Sequence, residues 1–235
     1  ALSCRMPRNE TIVAIDGPSG AGKGTVARAV ARELGYRHID SGAMYRGVAW
    51  QATRDGVDLT DELAIAAVAE AAVFTFESDR IAVNGHDVTE AIRTPETDVA
   101  AASVARLPVV REALVSRQRA LGENGRLVME GRDIGTVVFP AAAAKIYLDA
   151  SPDERARRRA ADPAHASGRN RALADVASAL EARDTSDRTR DASPLTLAPD
   201  AELIDTTGVP IGDVVTRVLS LVRSRLGGAP SAPAG

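Results

Sequence analysis

The sequence predicts an α/β fold: a parallel sheet covered by helices on both faces, with a small antiparallel insert. Three observations carry this. Short apolar, β-branched runs recur along the chain, and strands of this kind alternate with segments of helical spacing. Those runs are continuously apolar, as strands buried on both faces are. The stretch 73–94 has a different character, with short strand-like runs around the hairpin signal Asn84-Gly85. No repeat occurs at a fixed period. The 235 residues, 45% hydrophobic and 26% charged, suffice for one large domain with a sizeable core.

The elements follow in order. "TIVAID" (11–16) is a buried strand, and a glycine-rich stretch succeeds it. In "TVARAVARELG", Val26, Val30 and Leu34 recur every four residues and Gly35 ends the helix. "YRHID" is a second strand, and "SGAMYRGVAWQATRDG" is a helix capped by Ser41. A helix near 61–72 precedes the strands "VFTF" and "RIAV", and 95–122 is helical again. "RLVME" and "AKIYLDA" are buried strands. "SPDERARRRAAD" is a helix with a Ser151 cap and Pro152 in its first turn. The loop "PAHASGRN", the helix "RALADVASALEARDTSD", the strand "AELIDTT" and the helix "IGDVVTRVLSLVRSRLG" complete the order. Residues 1–10 and 227–235 are expected to be disordered termini, the second being rich in Gly, Ala, Pro and Ser.

Charge and composition narrow the function. With 29 basic and 32 acidic residues, the net charge of −3 gives no general pull toward nucleic acid or an anionic membrane. Aromatics, at 3%, offer no stacking platform for single strands. Yet nine arginines fall between Arg155 and Arg190, a local patch suited to a compact anionic ligand. The single cysteine allows no disulfide framework and no cysteine metal site, which implies a reducing, cytoplasmic setting. No apolar run approaches the roughly 20 residues of a membrane span.

Gly17-x4-Gly22-Lys23 matches a phosphate-binding loop and lies between a predicted strand and helix, as such a loop requires. The residues Gly17, Pro18, Ser19, Gly20, Ala21, Gly22, Lys23, Gly24 and Thr25 are therefore expected to cradle the phosphates of ATP. Glycines let backbone N–H groups turn inward, and the helix N-terminus adds its dipole. Lys23 is one of two lysines among 29 basic residues. It supplies a compact ammonium that the planar fork of arginine replaces poorly. The usual hydroxyl after the lysine is missing: position 24 is glycine and the hydroxyl arrives at Thr25. Magnesium is thus expected to be held mainly by nucleotide phosphates and water, with no protein metal cluster.

"GPSGAGKGT", "DSGAMYRG" (40–47), "GRDIGTVVFP" (131–140), "ERARRR" and "RDTSDRTRDASPL" together resemble the bacterial cytidylate kinases, within the P-loop nucleoside monophosphate kinases. Adenylate kinases share the loop but lack the second and third blocks. The resemblance covers about 11–226. It implies a single kinase domain with a P-loop NTPase-type core (11–60 and 124–226), a monophosphate-binding insert (about 61–123, with the hairpin at 73–94) and an arginine-rich lid (about 155–171). It implies phosphoryl transfer from ATP to CMP or dCMP, by a monomer with no nucleic-acid or membrane partner.

The same resemblance assigns residues. Ser41, Arg46 and Arg132 would hold the acceptor phosphate, and Tyr45 either packs or touches the ligand. Asp133 would accept from the cytosine N4 amino group and Arg111 would donate toward N3 and O2. Uracil presents an acceptor to Asp133, and an unpaired buried polar group costs about 1–3 kcal/mol, enough to favour cytosine at least tenfold. Arg183, Asp187 and Arg190 would surround the ribose and phosphate. Lys23, Arg132, Arg158 and Arg190 would stabilise the transferring phosphoryl group. On the lid helix Arg155, Arg158 and Arg159 can share a face. The family pattern places a serine at Ala102, and here Ser103 is its neighbour. His38, His86 and His165 are scattered, and a phosphate nucleophile needs no general base.

Three alternatives stand beside this reading. A kinase of the same architecture could take UMP or AMP, which an acceptor panel separates. A guanine-nucleotide switch would carry an Asn-Lys-x-Asp motif, absent from the chain. A nucleic-acid-dependent ATPase would want a basic track and aromatics.

Overall fold

The computed structural model describes residues 11–77, 80–162 and 172–227. The expected disordered ends and residues 163–171 of the expected lid, with His165, lie outside the described residues, except that Gly227 closes the last helix.

Five strands form one sheet: β1 (Ile12–Asp16), β2 (Arg37–Asp40), β6 (Leu127–Gly131), β7 (Ala144–Asp149) and β8 (Glu202–Asp205). Their order is β2-β6-β1-β7-β8 and all pairs are parallel. The central strand pairs Val13 with Val128 on one side and Ala144 on the other. Buried on both faces, β1 is apolar at odd and even positions alike, and this is why it reads as an unbroken run. On one face α1 (Lys23–Leu34) and α8 (Ile211–Gly227) pack Val26, Val30, Val214 and Val218 against Val13, Ile15 and Ile146. On the other face α5 (Pro108–Gly122) and the segment 134–142 cover Ile12, Ala14 and Met129.

A third cluster spans α2 (Ser41–Arg54) and the residues 61–123 expected to form the insert. It joins α2 to α3 (Glu62–Ala71), α4 (Pro95–Val104) and α5 through Met44, Val48, Ile65, Ile92, Val104 and Leu114. The antiparallel sheet has three strands, β3 (Phe74–Glu77), β4 (Arg80–Val83) and β5 (His86–Asp87). Asn84 (φ 50°) and Gly85 (φ 80°) turn β4 into β5, with Val83 opposite His86. Both central residues take positive φ, which Asn-Gly tolerates better than other pairs. The two-residue β5 has no signal of its own in the sequence. The described chain is completed by α6 (Pro152–Ala161) and α7 (Leu173–Thr189).

One expected cap is corrected. Asp40, not Ser41, caps α2, its carboxylate accepting from Ala43 N at 3.2 Å. Strand β2 runs straight into the helix, so the strand's last residue takes the cap. Ser41 is already helical, and its Oγ donates to the Glu130 carbonyl at 2.7 Å. A π-helical turn, Ile134–Val138, also escapes the sequence. Asp16 anchors it, accepting from Ile134 N at 2.9 Å and Gly135 N at 2.7 Å. Burial pushes the Asp16 carboxyl up to about 6 against those two donors.

Candidate active site

A cavity of about 670 Å³ opens at the C-terminal ends of the parallel strands. Residues 19–25 line it. Gly17 and Pro18 do not; they shape the turn. Gly17 sits at φ 144° with its back on β7, and a Cβ there would fall 2.0 Å from the Leu148 carbonyl oxygen. Lys23 is buried and its Nζ donates to the Pro18 carbonyl at 2.6 Å. Burial pushes Lys23 down to about 7, with the Arg132 charge acting in the same direction. Position 24 carries a second feature: a Cβ on Gly24 would stand 3.3 Å from the Glu130 carboxylate, which reaches over the helix start and meets His38 Nε2 at 2.9 Å.

The expected acceptor-site residues come together, and each arginine meets a carboxylate. Arg46 donates to Asp40 at 2.7 Å. Burial opposes a charge on Asp40, but Arg46 and His38 hold its carboxyl well below the usual range. Arg111 donates to Asp133, and both are buried. Arg132 Nε donates to Asp187 at 2.8 Å, and Arg190 Nη1 reaches the other oxygen of Asp187 at 3.4 Å. Burial works against the charge of Asp187, yet Arg132 and Arg183 keep its carboxyl below the usual range. Tyr45 lines the cavity with its ring 5.2 Å from the Arg111 guanidinium carbon, and burial pushes its hydroxyl up to about 12. Ser41 also lines the cavity. Among the described residues, the buried Arg46 Nε, Arg111 Nε and Arg190 Nη2 have no hydrogen-bond acceptor.

Ala102 lines the cavity, whereas the Ser103 hydroxyl turns back onto the Val99 carbonyl at 3.4 Å. Ser103 does not fill the place of the serine in the family pattern.

The arginines of α6 diverge. Arg158 donates to Thr206 Oγ1 at 2.9 Å and to the Thr206 carbonyl at 2.7 Å, beside the phosphate loop. Arg159 pairs with Asp98 of the insert, as does Arg183 at 3.0 Å. Arg155 does not join them, contrary to the shared face expected for it. It is buried under the loop, donating to the Ser19 carbonyl at 3.1 Å and pairing with Asp184. Helical spacing put Arg155 on the right face, but its short distance to the loop makes it a strut. Arg157 is exposed and pairs only locally, with Glu154 at 3.1 Å.

Sequence reasoning missed Asp40 and Glu130 as site residues, although they are the last residue of β2 and the next-to-last of β6, at the strand ends where ligands of such sheets bind. It also missed Thr206, Asp98 and Asp184. Thr206 directly follows β8 and could have been found by the same rule; nothing local marks the other two. Val209, Ile211 and Val214 add an apolar wall near Thr206. Among the described residues no group of three or more His, Cys, Asp or Glu could hold a metal by itself, and no helix is long and apolar enough to cross a membrane.

A phosphate loop at the end of a parallel sheet, sharing one cavity with paired arginines, defines a P-loop phosphotransferase acting on a small anionic acceptor. The family model described as cytidylate kinase matches residues 13–224, and the chain belongs to the cytidylate kinase family. It is 47% identical to a cytidylate kinase of Solibacter usitatus (strain Ellin6076), over 93% of this chain and 95% of that one. It is 48% identical to one of Desulfitobacterium hafniense (strain Y51), over 91% and 93%. A solved shikimate kinase from Bacteroides thetaiotaomicron aligns at 15% identity with a TM-score of 0.47, over 91% of this chain and 98% of that one. The protein is accordingly a nucleoside monophosphate kinase that phosphorylates CMP with ATP.

Proposed function

We propose that the cavity carries out direct in-line transfer of the ATP γ-phosphoryl group to CMP and dCMP, giving CDP and dCDP. The observation that carries this reading is one cavity lined both by the phosphate loop with Lys23 and by the buried pair Arg111–Asp133. The loop, from Gly17 through Pro18, Ser19, Gly20, Ala21, Gly22 and Lys23 to Gly24 and Thr25, wraps the ATP phosphates with backbone N–H groups. Lys23 leaves the Pro18 carbonyl for the β- and γ-phosphates, whose charge offsets its burial. The adenine rests against the apolar wall of Val209 and Ile211.

Ser41, Arg46 and Arg132 take the acceptor phosphate, with Tyr45 beside it. Arg111 and Asp133 read the cytosine edge, Asp133 accepting from N4. Asp187, with Arg183 and Arg190, meets the sugar hydroxyls and phosphate, and an aspartate accepts from the 3′ hydroxyl of either sugar. The acceptor phosphate oxygen attacks in line with the departing β–γ bridge oxygen, so no phosphoenzyme forms and no side-chain base is required. Lys23, Arg132, Arg158 and Arg190 balance the charge spread over the γ-phosphoryl oxygens.

Magnesium carried by the nucleotide would supply further neutralisation of phosphate charge. The Glu130 carboxylate over Gly24 and the Thr25 hydroxyl are oxygens that can bond its waters, so the site fits a largely hydrated ion. The protein works as a cytoplasmic monomer in pyrimidine nucleotide metabolism.

ADP release measured with ATP, Mg²⁺ and each of CMP, dCMP, UMP, AMP and GMP tests the reading. CMP and dCMP are expected to lead, and Lys23→Ala to lose about a hundredfold or more in kcat. Equal stimulation by all five acceptors would sink the base assignment; no stimulation by any would sink the transfer site.

A further inference from the structure

Asp98 has no place in the phosphate-loop or acceptor assignments, and it does not line the cavity. It lies on α4, in the insert, with its side chain 12% exposed. Its carboxylate nevertheless takes two arginines that do line the cavity. Arg183 Nη1 of α7 donates to Oδ1 at 3.0 Å, and Arg159 Nη2 of α6 donates to Oδ2. Three elements from different parts of the chain thus meet at one side chain. A second tie runs parallel: Arg106, just past α4, donates to the Ser186 hydroxyl of α7 at 3.2 Å.

The electrostatics give Asp98 something to do. Arg159 is largely buried, and burial disfavours its charge; Asp98 opposes that, while Arg183 and Arg46 repel it. Two guanidiniums side by side at low dielectric move apart unless an anion sits between them. Before nucleotides bind, Asp98 is such an anion. It leaves donor capacity on each guanidinium, because each carries five N–H groups and Asp98 takes few of them. Phosphate oxygens can then be met by arginines already gathered, with less reorganisation during transfer.

We propose that Asp98 is a positioning residue that gathers Arg159 and Arg183 behind the phosphates and so fixes the insert, α6 and α7 in one arrangement for transfer. The proposal rests on the reading of this cavity as the transfer site, and its chemistry differs from plain electrostatics in sign. Removing a negative charge beside an anion-binding cavity should, by charge alone, tighten the ground-state binding of CMP. Loss of positioning should instead lower kcat.

The test is steady-state kinetics of wild type, Asp98→Asn and Asp98→Glu with CMP and ATP. Asp98→Asn is expected to lower kcat about tenfold or more with the KM for CMP unchanged or lower, and Asp98→Glu to regain most of kcat. An unchanged kcat, or a raised KM with kcat intact, would overturn the proposal. So would a fall in kcat that Asp98→Glu does not relieve while both variants share the wild-type thermal midpoint. Should Asp98→Asn not fold, Arg159→Gln, Arg183→Gln and their double variant replace it. Losses in kcat that combine to less than their product support the shared carboxylate, and losses that multiply overturn it. Wild-type turnover of CMP stands as a separate control: its absence removes the transfer-site reading itself.

Discussion

The phosphate loop and the acceptor end of the cavity are held in shape by different means. In the loop the backbone does the work: Gly17 backs onto the Leu148 carbonyl, Lys23 folds across to the Pro18 carbonyl, and Arg155 struts the Ser19 carbonyl from below. At the acceptor end side chains hold side chains. Asp40 takes Arg46, Asp133 takes Arg111, and Asp187 takes Arg132 and Arg190. A backbone cradle suits phosphates common to every nucleotide. A lattice of ion pairs can be re-ordered when a particular base and sugar arrive, and it can discriminate between them.

This difference can be broken at the loop first. Gly17→Ala puts a methyl group 2.0 Å from a backbone oxygen at a positive φ, and neither atom can give way cheaply. A loss of about 4 kcal/mol or more in unfolding free energy is expected from denaturant titration. A variant within about 1 kcal/mol of wild type would show the loop to be softer than a backbone-built cradle should be.

Asp16 links the two ends, running from β1 to the turn that follows Asp133. Its folded carboxyl titrates near 6, above the ordinary 3.8, so between those values the native state binds the extra proton. Its contribution to stability therefore falls as pH rises from about 4 to about 6 and is level beyond. Asp16→Asn removes that titration, though it also exchanges an acceptor for a donor facing a backbone N–H. The difference in thermal midpoint, wild type minus variant, is expected to shrink between pH 4.5 and pH 7 by several degrees, roughly. A difference that stays constant would mean that burial does not raise this carboxyl.

The smallest effect belongs to the acceptor end. Ala102→Ser puts a hydroxyl on the cavity wall that Ser103, turned to Val99, does not supply. The KM for CMP is expected to fall about threefold, the worth of one modest hydrogen bond. No change would place position 102 out of reach of the base.

Much of the fold was legible because its signals are local. The three central sheet strands, β1, β6 and β7, are short, mainly apolar runs, the phosphate loop is a motif with fixed spacing, and Asn84-Gly85 encodes its own turn. The arrangement of the site was less so. Ser41 read as a cap because sequence does not show that β2 enters α2 without a loop. Arg155 and Arg159 sit four apart on α6, yet one is a strut and the other reaches the insert. Which carboxylate each arginine meets is decided by contacts such as Arg132–Asp187 and Arg183–Asp98, between residues far apart in the chain. No spacing rule announces those partners. Glu130 and Asp40 carry a positional signal, since each lies at the C-terminal end of a parallel strand.

Asp133 is the most direct point at which to test an acceptor end that reads the base through paired side chains. The measurement is kcat/KM for CMP and for UMP with wild type and Asp133→Asn. An amide can turn its N–H groups toward O4 of uracil, so the preference for CMP over UMP is expected to fall about tenfold or more, whatever the loss in overall rate. A preference that survives unchanged, with both substrates slowed alike, would contradict the assignment and leave Asp133 as a structural partner of Arg111 alone.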